Sequence, residues 1–246
     1  MARGRRNSSR IGYLHLILRG NNKQIIFEET DDYRFFLSRL GKFSREADIR
    51  ICAYCLMENH VHLLVNDAGG NTPEMMQKLG VSYTKHFNQK YERVGHLFQG
   101  RYLSEPVEDE VYLLTVFRYI LNNSRKAGIC SASRYRWNSY KAYFRPESNL
   151  DLDYIRNVFK TEDEYKDYID AFSEDACLEY DKSAAYSDTQ AQEIIKGKLK
   201  IRSGTELQVL GQHERNKALQ MLKKEGLTIR QIERLTGISR NIIQRS

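Results

Sequence analysis

Across the first 126 residues, short apolar runs alternate with longer stretches of helical periodicity, and that order leaves few folds open. Ile11 to Leu18 reads as a strand, ended by the turn residues Arg19-Gly-Asn-Asn22. A helix is expected from a cap at Thr30 or Asp31 to about Glu46, with Phe35, Phe36, Leu37, Leu40 and Phe43 on its apolar side. Ile49 to Met57 and His60 to Val65 read as two strands joined at a Glu58-Asn59 corner. Pro73 opens a second helix, carrying Met75, Met76, Leu79, Tyr83 and Phe87 at helical spacing. Leu97 to Val107 reads as a fourth strand. Glu108, Asp109 and Glu110 then put negative charge at the start of a third helix, which runs to about Lys126 and stops at Gly128. The first six elements have the split β-α-β order of ferredoxin-like folds. The expected class is therefore α+β, an antiparallel sheet with helices packed on one face.

Four segments are expected. Residues 1–10 form a basic arm with Arg3, Arg5, Arg6 and Arg10, suited to phosphate contacts. Residues 11–148 form the α+β domain, and 149–203 an acidic helical connector and linker. Within 151–182 there are eleven acids against four bases, a local −7, so the rest of the chain carries +14 to reach the overall +7. Residues 204–246 form a small all-α unit with helix-turn-helix spacing. There Thr228 and Ser239 serve as helix caps, and Leu227, Ile229, Ile232, Leu235, Ile238, Ile242 and Ile243 supply the core. Arg240, Asn241, Gln244 and Arg245 on its last helix are side chains able to read a major groove or hold phosphates, with Arg240 and Gln244 the chosen DNA contacts.

A basic balance suits a polyanionic partner, nucleic acid first. No apolar run is long enough to cross a membrane, and Met-Ala-Arg-Gly-Arg-Arg is followed by no apolar segment, so a cytoplasmic location is expected. Cys52-x-x-Cys55 lies in a strand-like run without a second pair at zinc spacing, so reduced, buried thiols are expected.

The chemistry concentrates in two places. His60 and His62 are two apart on a strand and therefore share a face, where two imidazoles are able to hold one divalent ion. On the third helix, Leu113, Val116, Phe117, Ile120 and Leu121 make an apolar stripe, and Tyr119 and Asn123 fall together on its flank, one turn apart. Tyr112 lies near the same flank and is the rival. An activated tyrosine is able to displace a DNA oxygen from phosphorus and keep the phosphate as an ester, which a second DNA end reverses without ATP.

Met57-Glu-Asn-His-Val-His-Leu-Leu-Val65 and Phe117-Arg-Tyr-Ile-Leu-Asn-Asn-Ser-Arg-Lys-Ala-Gly128 resemble the signatures of the single-tyrosine HUH transposases. Arg19-Gly-Asn-Asn-Lys23 and Phe98-Gln-Gly-Arg-Tyr102 extend the likeness to the branch of REP-associated tyrosine transposases, over about residues 10–145. The resemblance implies an HUH endonuclease domain that cuts and rejoins single-stranded DNA bearing hairpins or palindromes, through a 5′-phosphotyrosine intermediate. By motif position it implies His60, His62 and Asn123 as ligands of Mg²⁺ or Mn²⁺, Tyr119 as nucleophile, and Arg19 and Arg101 facing the DNA. Relatives include monomers and domain-exchanged dimers, so a homodimer is open. The chain has Asn123-Ser124 where the family often has Asn-Pro, and Met57-Glu58 where a proline often precedes the corner; neither change removes a reacting group. Two alternatives stand beside this reading. One is a relaxase or replication-initiator type of HUH nuclease, disfavoured by the single late tyrosine. The other is a DNA-binding regulator of the same fold that does not cut.

Overall fold

The computed structural model describes residues 9–145, 150–171, 177–178, 188–201 and 203–246. Most of the basic arm, including Arg3, Arg5 and Arg6, lies outside the described residues, as do 172–176 and 179–187 of the acidic and polar stretch. The chain divides into two compact units, Met1–Leu178 and Glu179–Ser246.

In the first unit, β1 (Tyr13–Arg19), β2 (Arg50–Met57), β3 (His60–Asn66) and β4 (Leu103–Val107) form one antiparallel sheet in the order β2-β3-β1-β4. This is the split β-α-β arrangement, with β3 inserted between β1 and β2. The central strands are buried on both faces, which is why they read as nearly continuous apolar runs. One face carries Leu16, Leu18, Val61, Leu63 and Val65 against α1 (Thr30–Glu46) and α2 (Thr72–Lys90), through Phe36, Leu40, Met75, Leu79 and Tyr83. The other face carries Ala53, Cys55, Leu64 and Val107 against α3 (Glu110–Leu121), through Leu113, Val116, Phe117 and Ile120. The first two helices thus share a face, as the split β-α-β order predicts, and the tyrosine helix covers the opposite one.

Several expected boundaries move. The fourth strand begins at Leu103 rather than Leu97. Residues 97–102 bend away, with Gly100 at φ 69°, and pair only through a bridge from Phe98 to Gly20. Glu29, not Thr30 or Asp31, caps α1, because Asp32 reaches back to complete a capping box with it. The tyrosine helix is interrupted at Asn122 and resumes as α4 (Asn123–Lys126), ending before Gly128 at φ 71°. Downstream, α5 (Asp153–Val158) and α6 (Glu162–Asp170) place Leu152, Ile155, Tyr165 and Ile169 of the acidic stretch in the core cluster of α3.

The turn after β1 is where two motifs that are remote in sequence meet. Gly20 N donates to Asn59 O at 2.8 Å, Asn21 N to Leu97 O at 2.8 Å and Gln99 N to Arg19 O at 2.8 Å. The first of these bonds pins the turn to the β2–β3 corner. Gly20 is required by close approach: a Cβ there would lie 2.1 Å from Gln24 O and 2.9 Å from Ile26 Cγ2. Gly20→Ala is therefore expected to lower unfolding free energy by about 1–3 kcal/mol in urea titration. An unchanged midpoint would show that the turn relaxes freely.

In the second unit, α7 (Asp188–Leu199), α8 (Gln212–Lys224), α9 (Ile229–Thr236) and α10 (Arg240–Arg245) enclose Leu207, Leu219, Leu222, Leu227, Ile232, Ile238 and Ile243. Thr228 caps α9 in a capping box with Gln231, and Gly237 ends it at φ 70°. Ile242, expected in this core, is 38% exposed, because the short last helix turns only Ile243 inward. The helix α7 occupies part of the stretch expected as a linker. Among the described residues, no helix is long and apolar enough to cross a membrane. The four cysteines are free thiols, with Cys52, Cys55 and Cys177 buried.

Candidate active site

Strand alternation sends Val61, Leu63 and Val65 to the α1–α2 core and leaves His60, His62 and Leu64 on the α3 face. Sheet register then decides their neighbours: Arg19 of β1 and Met57 of β2 lie opposite His60, while Ile17 and Cys55 lie opposite His62. The two imidazoles stand edge to face with centroids 5.0 Å apart, and Asn59 Oδ1 lies 2.6 Å from His60 Nδ1.

Asp109 caps α3 by accepting from Tyr112 N at 2.7 Å, and the apolar stripe fixes the helix's rotation on the sheet. The flank residue Tyr119 is thereby turned toward the histidines. Its ring lies edge-on to His62 at 5.7 Å and to His15 at 5.9 Å, and it is 2% exposed. Buried Asn123 donates its amide to Tyr119 O at 2.9 Å, so the amide oxygen is the end turned away from that carbonyl. Lys126 Nζ lies 4.0 Å from the centre of the Tyr119 ring. Residues 119, 123 and 126 follow the helical 4–3 spacing, so Lys126 was legible as a third member of this flank although the sequence reading passed over it.

His15 is the larger omission. It is fully buried, its Nε2 lies 3.0 Å from His62 Nδ1, and the rings lie 24° from coplanar with centroids 5.2 Å apart. Its Nδ1 has no hydrogen-bond partner and faces Glu105 Oε2 at 3.6 Å. Burial holds the pKa of His62 well below the ordinary histidine value, and His15, His60 and Lys126 push it further down. Burial also lowers His15, against an opposing pull from Glu105. The lowered pKa favours the neutral form of each ring, which keeps one lone-pair nitrogen. Burial raises the Glu105 carboxyl, but the facing His15 ring, the Tyr112 hydroxyl and the Leu178 amide outweigh it and the net shift is downward. The rival Tyr112 spends its hydroxyl on Glu105, and burial raises its pKa. The only sequence signal for His15 is a polar residue inside an apolar strand. Its register against β3 is a tertiary fact.

Residues 9–123 match the model of the family described as transposase, IS200-like. This stretch of the chain belongs to that family. Among solved structures, a REP-associated tyrosine transposase bound to a REP hairpin is similar at 16% identity, covering 72% of this chain and 95% of its own, with a TM-score of 0.49. A protein of Deinococcus radiodurans R1 assigned as a transposase is similar at 18% identity, covering 50% of this chain and 97% of its own, with a TM-score of 0.35. No curated protein matches the chain.

The transposase domain gathers Tyr119, His60, His62 and Arg19 on one sheet face, with Asn123 one turn beyond the tyrosine. Arg101 is placed elsewhere: it is exposed and lines a cavity of about 960 Å³ with Leu18, Met76, Gly80 and Phe98, on the side of α2. In the second unit, Gln244 is exposed, while Arg240 is engaged by Glu233 of the preceding helix.

Proposed function

We propose that the transposase domain cuts and rejoins hairpin-bearing single-stranded DNA, with Tyr119 as the nucleophile. The observation that carries the reading is the Tyr119 ring edge-on to His62 at 5.7 Å, on the face that His60 shares. One chain supplies both sides of this contact, so no helix need be exchanged with a second copy to form it. In the cutting step the Tyr119 oxygen bonds to phosphorus and the bond from phosphorus to the 3′ oxygen breaks. The phenol proton leaves to solvent, and the 3′ oxygen takes up a proton. The product is a 5′-phosphotyrosine and a free 3′-hydroxyl. Attack by another 3′-hydroxyl reverses the step and joins the strands.

The residues present fit a divalent ion. Among the described residues no group of three or more His, Cys, Asp and Glu gathers for a metal. The donor set is instead the imidazoles of His60 and His62 with the Asn123 amide oxygen, which suits Mn²⁺ or Mg²⁺ completed by water. Such an ion supplies polarisation of the scissile phosphate. The cation of Lys126 over the tyrosine ring and Arg19 beside His60 are positioned to neutralise charge at the phosphate and the phenol oxygen. In the second unit, Gln244 and Arg240 are the proposed duplex contacts, Arg240 after exchanging Glu233 for a phosphate.

The direct test incubates end-labelled hairpin single-stranded DNA with protein and Mn²⁺, then resolves the mixture on a denaturing gel. A covalent band that EDTA abolishes is expected; DNA binding without any covalent product would leave the regulator reading. Lys126→Met is expected to slow adduct formation by about 10- to 100-fold in single turnover, with the fold intact because the side chain is exposed. A rate within twofold of the parent would remove Lys126 from the chemistry.

A further inference from the structure

His62 faces a second, wholly buried histidine on β1, and that histidine faces a carboxylate on β4. We propose that Glu105 and His15 are positioning residues that set the tautomer of His62 and aim its Nε2 into the active site. The proposal rests on the reading of His62 as a metal ligand.

His15 Nε2 and His62 Nδ1 are 3.0 Å apart, so one of the two carries a hydrogen and the other accepts it. A carboxylate accepts and does not donate, and Glu105 Oε2 is the group facing His15 Nδ1, at 3.6 Å. The hydrogen of neutral His15 therefore belongs on Nδ1, pointing at the carboxylate. Its Nε2 is left with a lone pair and accepts from Nδ1–H of His62. His62 then presents the lone pair of Nε2, the form a metal site requires. The opposite arrangement would aim the His15 Nδ1 lone pair at a negative charge in a buried place and put a hydrogen on His62 Nε2, closing it to a cation. The two rings meet edge to edge, 24° from coplanar with centroids 5.2 Å apart, so the nitrogens point at one another. Glu105 is held in turn by the Leu178 amide at 3.0 Å and by Tyr112. Partners of this kind behind a ligating histidine orient it and raise its basicity.

Two measurements test this. Long-range ¹H–¹⁵N correlation of the histidine rings in metal-free protein is expected to show His62 with hydrogen on Nδ1. Hydrogen on Nε2 would overturn the proposal whatever the metal result. In Glu105→Gln the amide donates as readily as it accepts, so the bias is lost. Mn²⁺ affinity by calorimetry is expected to weaken about 10- to 100-fold. His15→Phe keeps the ring volume and removes both nitrogens, and is expected to match that loss. Should His15→Phe fail to fold, Glu105→Gln remains usable because its side chain is 29% exposed. Unchanged affinity in Glu105→Gln, with wild type binding Mn²⁺, would also overturn the proposal. A wild type that binds no Mn²⁺ would instead sink the metal reading, and the ring correlations would still report the tautomer.

Discussion

Tyr119→Phe is expected to yield a folded protein that still binds hairpin DNA and forms no covalent adduct with it. The ring is 2% exposed, edge-on to His15 and His62 and beneath Lys126, and phenylalanine keeps all of that packing. Losing one hydroxyl should change stability by no more than about 1 kcal/mol. The chemical loss is total on a denaturing gel, because the phenylalanine has no hydroxyl to form the ester with phosphorus and the rival Tyr112 hydroxyl is engaged with Glu105. Tyr112→Phe is the matched control. Its hydroxyl is engaged with Glu105, so the adduct should persist, formed somewhat more slowly if Glu105 is disturbed. An adduct that survives in Tyr119→Phe and disappears in Tyr112→Phe would exchange the two roles.

Asp32→Ala is expected to be the most destabilising single change on the α1–α2 side of the sheet. Asp32 is fully buried at the start of α1, where its carboxylate accepts from Glu28 N at 3.0 Å, Glu29 N at 2.9 Å, Lys90 Nζ at 2.8 Å and Tyr91 Oη at 2.6 Å. His86 Nε2 lies 3.7 Å away. One side chain thus closes the cap of α1 and ties it to the end of α2. Removing it leaves four part-buried donors without their acceptor at once, for a loss of about 3 kcal/mol in denaturant titration. Burial raises the carboxyl's pKa, but the bonds from Lys90, Tyr91 and the Glu29 amide outweigh it and the net shift is downward. A depressed folded-state value means that the stabilisation is present above the unfolded-state value of about 3.9 and fades as pH falls below it. The wild type should therefore lose melting temperature more steeply than Asp32→Ala between about pH 4 and pH 2. Parallel acid limbs for the two proteins would show that another carboxylate governs the loss.

The sequence by itself determined the strand and helix order, the shared face of His60 and His62 and the joint flank of Tyr119 and Asn123, because each depends on a local period of 2 or 3.6 residues. It determined the family as well, through four short motifs in order. It did not place the cap of α1, which moved to Glu29 when Asp32 found donors on α2, or the start of β4, where Phe98 pairs with Gly20 alone. Only the tertiary structure decided that α3 covers the face opposite to α1 and α2, and so that Tyr119 meets His62 within one chain. It alone brought His15 of β1 and Glu105 of β4 behind His62 of β3. Cross-strand register depends on how whole strands pack their apolar sides, and a residue's own neighbours in sequence carry no record of which strand will lie beside it.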